Sequence, residues 1–123
     1  IRELRWDGIK DFSVVVLSYW DFVTEETIRT IYPDGFPGWA VEHGGVLETS
    51  LMLHLPPHLV DMSKVVDHPP APLPPSDFFP VKPEWTPSSG CLSSAKPASA
   101  EKGKLLLEVC VEGISRELRT AFD

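Results

Sequence analysis

Residues 39 to 53, WAVEHGGVLETSLML, set a tryptophan, two acids and a histidine around one pair of glycines, and the glycines lead straight into an apolar run. Gly44-Gly45 ends a turn and lets backbone approach a ligand. The run behind it, Gly45 to Leu55, carries Leu47, Leu51, Met52 and Leu55 at helical spacing and stops at Pro56-Pro57. A helix starting there points free N–H groups and a positive dipole end at whatever binds. His43 sits at that mouth, where an imidazole can donate to, or protonate, a group developing negative charge. Glu48 falls among Leu47 and Leu51, partly on the core side, where a carboxylate needs a partner; steadying an imidazole or a ligand donor is one such role. Trp39 supplies an aromatic face for a flat ligand. The same residues also admit a structural account, with His43 a helix cap and Glu48 a capping acid.

Other candidates carry less. His54 and His58 have the i, i+4 spacing of a zinc pair, but Pro56 and Pro57 break the helix that would align them. Asp67-His68 before two prolines reads as a turn. Trp20, in SYWDF, follows a strand-like run at its C-terminal end, where α/β folds place ligand loops, so packing and site roles are balanced there.

The elements that must position these residues are few. Residues 1 to 8, IRELRWDG, read as the end of a helix closed by Gly8. Phe12 to Ser18 is a β-branched run without alternation, the pattern of a strand covered on both faces in a parallel sheet. TEETIRTIYP predicts a short helix with Thr24 as N-cap and two acids in its first turn, and PDGFPG is turn chemistry. Residues 68 to 87 hold eight of the thirteen prolines and predict an extended arm, held on a surface by Phe78, Phe79 and Trp85. The last helix is predicted with Pro97 in its first turn and Leu106, Cys110, Ile114, Leu118 and Phe122 as one stripe. A single strand cannot satisfy its own backbone, so its neighbours must come from another chain or from residues outside this sequence. The expectation is one partial domain over 1–123, the C-terminal part of a larger α/β fold.

At 123 residues with 42% apolar side chains the chain can bury a core. No apolar run approaches the roughly 20 residues of a membrane helix, so no membrane role is expected. The charged N-terminus does not read as a secretory signal. Cys91 and Cys110 show no metal or disulfide spacing, which suits a reducing cytoplasm. Eleven basic against 18 acidic residues give a net charge of −7, which argues against nucleic acid and for a small ligand.

Four blocks in order, VVVLSYWDF, GWAVEHGGVLETSLML, LVDMSKVVDHPPA and LSSAKPASAEKGKLLLEVCVEGI, resemble the creatininase family over nearly the whole chain, matching only the C-terminal half of such an enzyme. The resemblance implies a three-layer α/β/α hydrolase that adds water to creatinine, giving creatine, with a zinc or manganese pair, as a homo-oligomer. It makes His43 the histidine that assists ring opening, Trp39 a wall of the substrate pocket and Trp20 an aromatic that closes over it. Glu48 falls on the acid of the His-Gly-Gly-x-x-Glu pattern. Ala40 stands where the family's creatininases carry Asp, so a contact there survives only if backbone makes it. The family's metal patterns, Glu-x-His, a following Asp and Asn-Gly-His-x-Glu, do not occur in residues 1–123, so metal ligands are expected outside this sequence, and the chain would need the N-terminal half to act. The alternative is a non-catalytic fragment or assembly subunit.

Overall fold

A computed structural model describes Gly8 and residues 13–76, 78–80, 82–85 and 87–122. Among the described residues three α-helices form: α1 Glu25–Ile31, α2 Val46–His54 and α3 Ala100–Phe122, joined by short 3-10 turns. α1 starts where its local signals place it, with the Thr24 side chain accepting from the Thr27 N–H and Glu25 and Glu26 in the first turn. α2 ends as Leu55 bonds back to Leu51, before Pro56-Pro57 removes further donors. α3 begins three residues after Pro97, because Ser99 is the cap: its hydroxyl accepts from the Lys102 N–H (3.3 Å) and its carbonyl from the Gly103 N–H.

The core lies where α2 meets α3. Ile31, Val46, Leu47, Leu106 and Cys110 form its centre, with Tyr19, Val23, Ile28, Tyr32, Leu51 and Ile114 against it. Burying Leu47 and Leu106, 1% and 0% exposed, is worth about 1.5–3 kcal/mol each. Gly103 sets how closely the helices approach, since a Cβ there would lie 1.9 Å from the Ser50 carbonyl oxygen. Ser50 is fully buried and its hydroxyl accepts from the Ser99 N–H at 3.2 Å, tying α2 to the start of α3. The predicted stripe on α3 is buried at Leu106 and Cys110, but Leu118 and Phe122 are exposed. α2 has nine residues against 23 in α3, so the longer helix outruns its partner.

The strand expected from Phe12 does not form. Phe12 lies outside the described residues, 13–17 are irregular, and no strand occurs among the described residues. The physical reason is the one the pattern implied: a strand exists only against another strand, and none of the described residues pairs with this segment. Val14, Val15 and Val16 are left 42%, 37% and 75% exposed. The helix end expected over 1–8 lies outside the described residues except for Gly8, whose φ is +71°. The proline arm is tied at its base. Ala71 donates to the Leu92 carbonyl (2.7 Å), and Asp67 accepts from the Ser94 hydroxyl and pairs with Lys96. Further out, Lys82 lies over the Phe78 and Trp85 rings, while Phe79 is 93% exposed. No described helix is long and apolar enough to cross a membrane.

Candidate active site

The loop from Gly38 to Gly45 is shaped by its glycines. Gly38 has φ +107° and opens the 3-10 turn Trp39–Val41. Gly44 has φ +66°, and a Cβ there would meet the Cys91 sulfur at 2.8 Å, so both backbone sign and space require glycine. Leu92 donates its N–H to the His43 carbonyl at 2.9 Å. The Leu92 carbonyl in turn accepts from Ala71, so the loop, the 91–93 segment and the arm are laced together.

Gly45 is the N-cap of α2 and has no side chain to offer. Two carboxylates take over. Glu42 Oε1 accepts from the Leu47 N–H at 2.6 Å, and Glu48 Oε2 reaches back to the Gly44 N–H at 2.6 Å. The expected free N–H groups at this helix end are therefore partly taken by the chain's own acids. Room for this depends on Gly45, because a Cβ there would lie 2.8 Å from both Glu42 carboxylate oxygens. Glu42 also accepts from the Tyr32 hydroxyl. Burial, opposed by those hydrogen bonds and reinforced by the nearby Glu48 charge, raises the Glu42 pKa above its ordinary value. Burial and the bond to Glu42 raise Tyr32.

A cavity of about 210 Å³ lies beside this turn, lined by Tyr19, Trp20, Trp39, Glu42, Leu47 and Glu48. Edge contacts hold its indoles. Trp39 meets Phe36 at 5.1 Å between centroids, Phe36 meets Tyr32 at 5.0 Å, and Trp20 meets Tyr19 at 5.1 Å. Both tryptophans are 49% exposed. Of the residues singled out from sequence, Trp20, Trp39 and Glu48 are brought together. His43 and Ala40 are exposed on the same loop but do not line this cavity. Glu48 is both a capping acid and a cavity wall.

Sequence reasoning gave Glu42 and Tyr32 no role. The signal was available, since a helix opening on Gly-Gly must borrow its cap from upstream. His54, the last residue of α2, and His58, in the turn Pro57–Leu59, are separated by the end of the helix. Both cysteines are free thiols. Among the described residues no group of three or more His, Cys, Asp and Glu side chains is placed to hold a metal ion. These residues do not by themselves make the ligand set of zinc or manganese.

An aromatic cavity walled by two acids thus sits at a glycine-hinged helix start. The chain belongs to the creatininase family: the creatinine amidohydrolase model matches residues 1–118. It is 63% identical over 123 residues to a creatinine amidohydrolase of Pseudomonas putida, covering 99% of this chain and 47% of that protein. It therefore spans about half the length of the curated relative it matches. Among solved structures it resembles a mutant creatininase complexed with creatine, at 64% identity and TM-score 0.89 over 98% of this chain and 48% of that one. A manganese creatininase matches equally. A mutant of Zn–Zn type gives TM-score 0.90 at 64% identity, over 98% of this chain and 47% of that one.

Proposed function

We propose that residues 1–123 form the pocket-bearing C-terminal half of a creatinine amidohydrolase that hydrolyses creatinine to creatine. The observation that carries this reading is the cavity in which Trp20 and Trp39 stand with Glu42 and Glu48, in a chain whose family match is nearly complete. A flat, polar ring fits between indole faces, which also keep water from the reacting bond. Trp39 stacks on the ring and Trp20 covers it. His43 hands a proton to the departing ring nitrogen. Glu48 fixes the turn next to His43 through the Gly44 N–H, and Ala40 offers only backbone. Creatininases of Mn and Zn–Zn type are among its relatives; such ions, held by residues outside this sequence, would supply Lewis-acid polarisation of the carbonyl and an activated water.

The wider architecture follows from the same reading. Residues 12–17 become a central strand of a three-layer α/β/α domain once neighbouring strands flank them, which would bury Val14, Val15 and Val16. The full protein would act as a cytoplasmic homo-oligomer. A second reading, an assembly subunit without chemistry of its own, draws on those exposed valines and on Phe79. The test is turnover of creatinine by full-length protein containing this chain, with elemental analysis of residues 1–123 alone. The proposal expects creatine as product and no stoichiometric metal on the isolated chain. No turnover, or two tightly held ions on residues 1–123, would contradict it.

A further inference from the structure

Glu42 is the one acid of the cavity wall to which sequence gave no role, and its placement is costly. It is 9% exposed, it lies near a second carboxylate, Glu48, and burial is the largest influence on its titration. The Leu47 N–H and the Tyr32 O–H hold it so that it cannot turn away. Capping needs an acceptor at this position but not a negative charge, since an amide oxygen would take the Leu47 N–H as well.

The reaction proposed above supplies a use for the charge. Hydrolysis of creatinine breaks the acyl C–N bond and forms a C–O bond. The oxygen of water goes to the new carboxylate, and both its protons end on the guanidino nitrogens. The neutral ring thus becomes a zwitterion, and positive charge appears on the guanidino group only as the ring opens. A carboxylate fixed beforehand on the cavity wall binds that state better than it binds substrate, which is the condition for lowering a barrier. Each Glu42 oxygen already accepts one bond and keeps acceptor capacity for a guanidinium N–H from the cavity side. We infer that Glu42 is a further catalytic residue of this pocket, holding the guanidinium that develops as the ring opens; the inference rests on the function proposed above.

The test is steady-state kinetics and creatine inhibition in active full-length protein containing this chain, with Glu42→Gln and Tyr32→Phe. For Glu42→Gln, kcat is expected to fall roughly 10- to 100-fold, KM for creatinine to stay within about 3-fold, and creatine to inhibit about 10-fold more weakly. Melting temperature separates this from a structural role. A carboxyl whose folded pKa lies above its ordinary 4.5 binds more protons folded than unfolded, so its contribution to stability is lost as pH rises above that value. Glu42→Gln should then melt no lower than wild type at neutral pH. Tyr32→Phe keeps the charge but frees it to turn, and should cost about 3-fold in kcat. Unchanged kcat and creatine inhibition in Glu42→Gln, or a fall of several degrees in melting temperature with normal turnover by the folded fraction, overturns the inference and leaves the proposed function standing. A wild-type protein inert toward creatinine overturns both.

Discussion

The contact between α2 and α3 and the segment 13–18 are both rich in apolar residues, yet they end in opposite conditions. Leu47 and Leu106 are 1% and 0% exposed, whereas Val16 is 75% exposed. A helix closes its backbone bonds within itself, so an apolar stripe is all it needs from a neighbour. A strand needs a neighbour's backbone before its side chains can be buried at all. The contact between α2 and α3 is therefore buried as it stands, while the valines of 14–16 are left exposed. The cavity lies along the seam between them, with Trp20 just after the segment and Glu48 on α2.

The packed side is most sensitive at Gly103. Gly103→Ala puts a methyl 1.9 Å from the Ser50 carbonyl, which no side-chain rotation relieves, and should cost about 3 kcal/mol despite the better helix propensity of alanine. Chemical denaturation of the chain checks this, and an unchanged midpoint would mean that the helices do not approach so closely. On the open side, Trp39→Ala should remove most turnover in full-length protein while Trp39→Phe costs modestly. Neither should move the melting temperature by more than a degree or two, because the indole is half exposed. If Trp39→Ala melts several degrees lower yet turns over normally, Trp39 belongs to the core.

Val16 sharpens the contrast. Val16→Asp should leave residues 1–123 within about 0.5 kcal/mol, since the side chain touches little, but should destabilise full-length protein by roughly 2 kcal/mol or more if a sheet covers it. Equal, small effects in both would place the segment at a surface. The smallest effect is expected at the foot of the proline arm. Lys96 and Asp67 pair at 3.1 Å with both side chains more than half exposed, so Lys96→Ala should cost under about 1 kcal/mol, fading with salt.

What could be read from the sequence follows the same division. α1 was legible because Thr24, Glu25 and Glu26 act within one turn, and α2 because its apolar spacing and Pro56-Pro57 are local. The β-branched run was legible as a demand for burial, not as a formed strand, since pairing depends on a neighbouring strand and none occurs among the described residues. The start of α3 was placed early because Pro97 suits a first turn, while the hydroxyl of Ser99 decided the cap. Glu42 was hidden for a related reason: it bonds Leu47, five residues on, from outside the helix. Grouping Trp20 with Trp39 and Glu48 followed the family resemblance, since no periodicity links residue 20 to residue 48.

If this half brings proton transfer and the pocket while the metals are held elsewhere, His43→Asn in active full-length protein will separate the two. Asparagine keeps a donor of similar size but cannot shuttle a proton, so kcat for creatinine should fall on the order of 10²- to 10⁴-fold with metal content unchanged. Loss of metal in that variant would make His43 a ligand, and full activity would make it only part of a turn; either result contradicts the account.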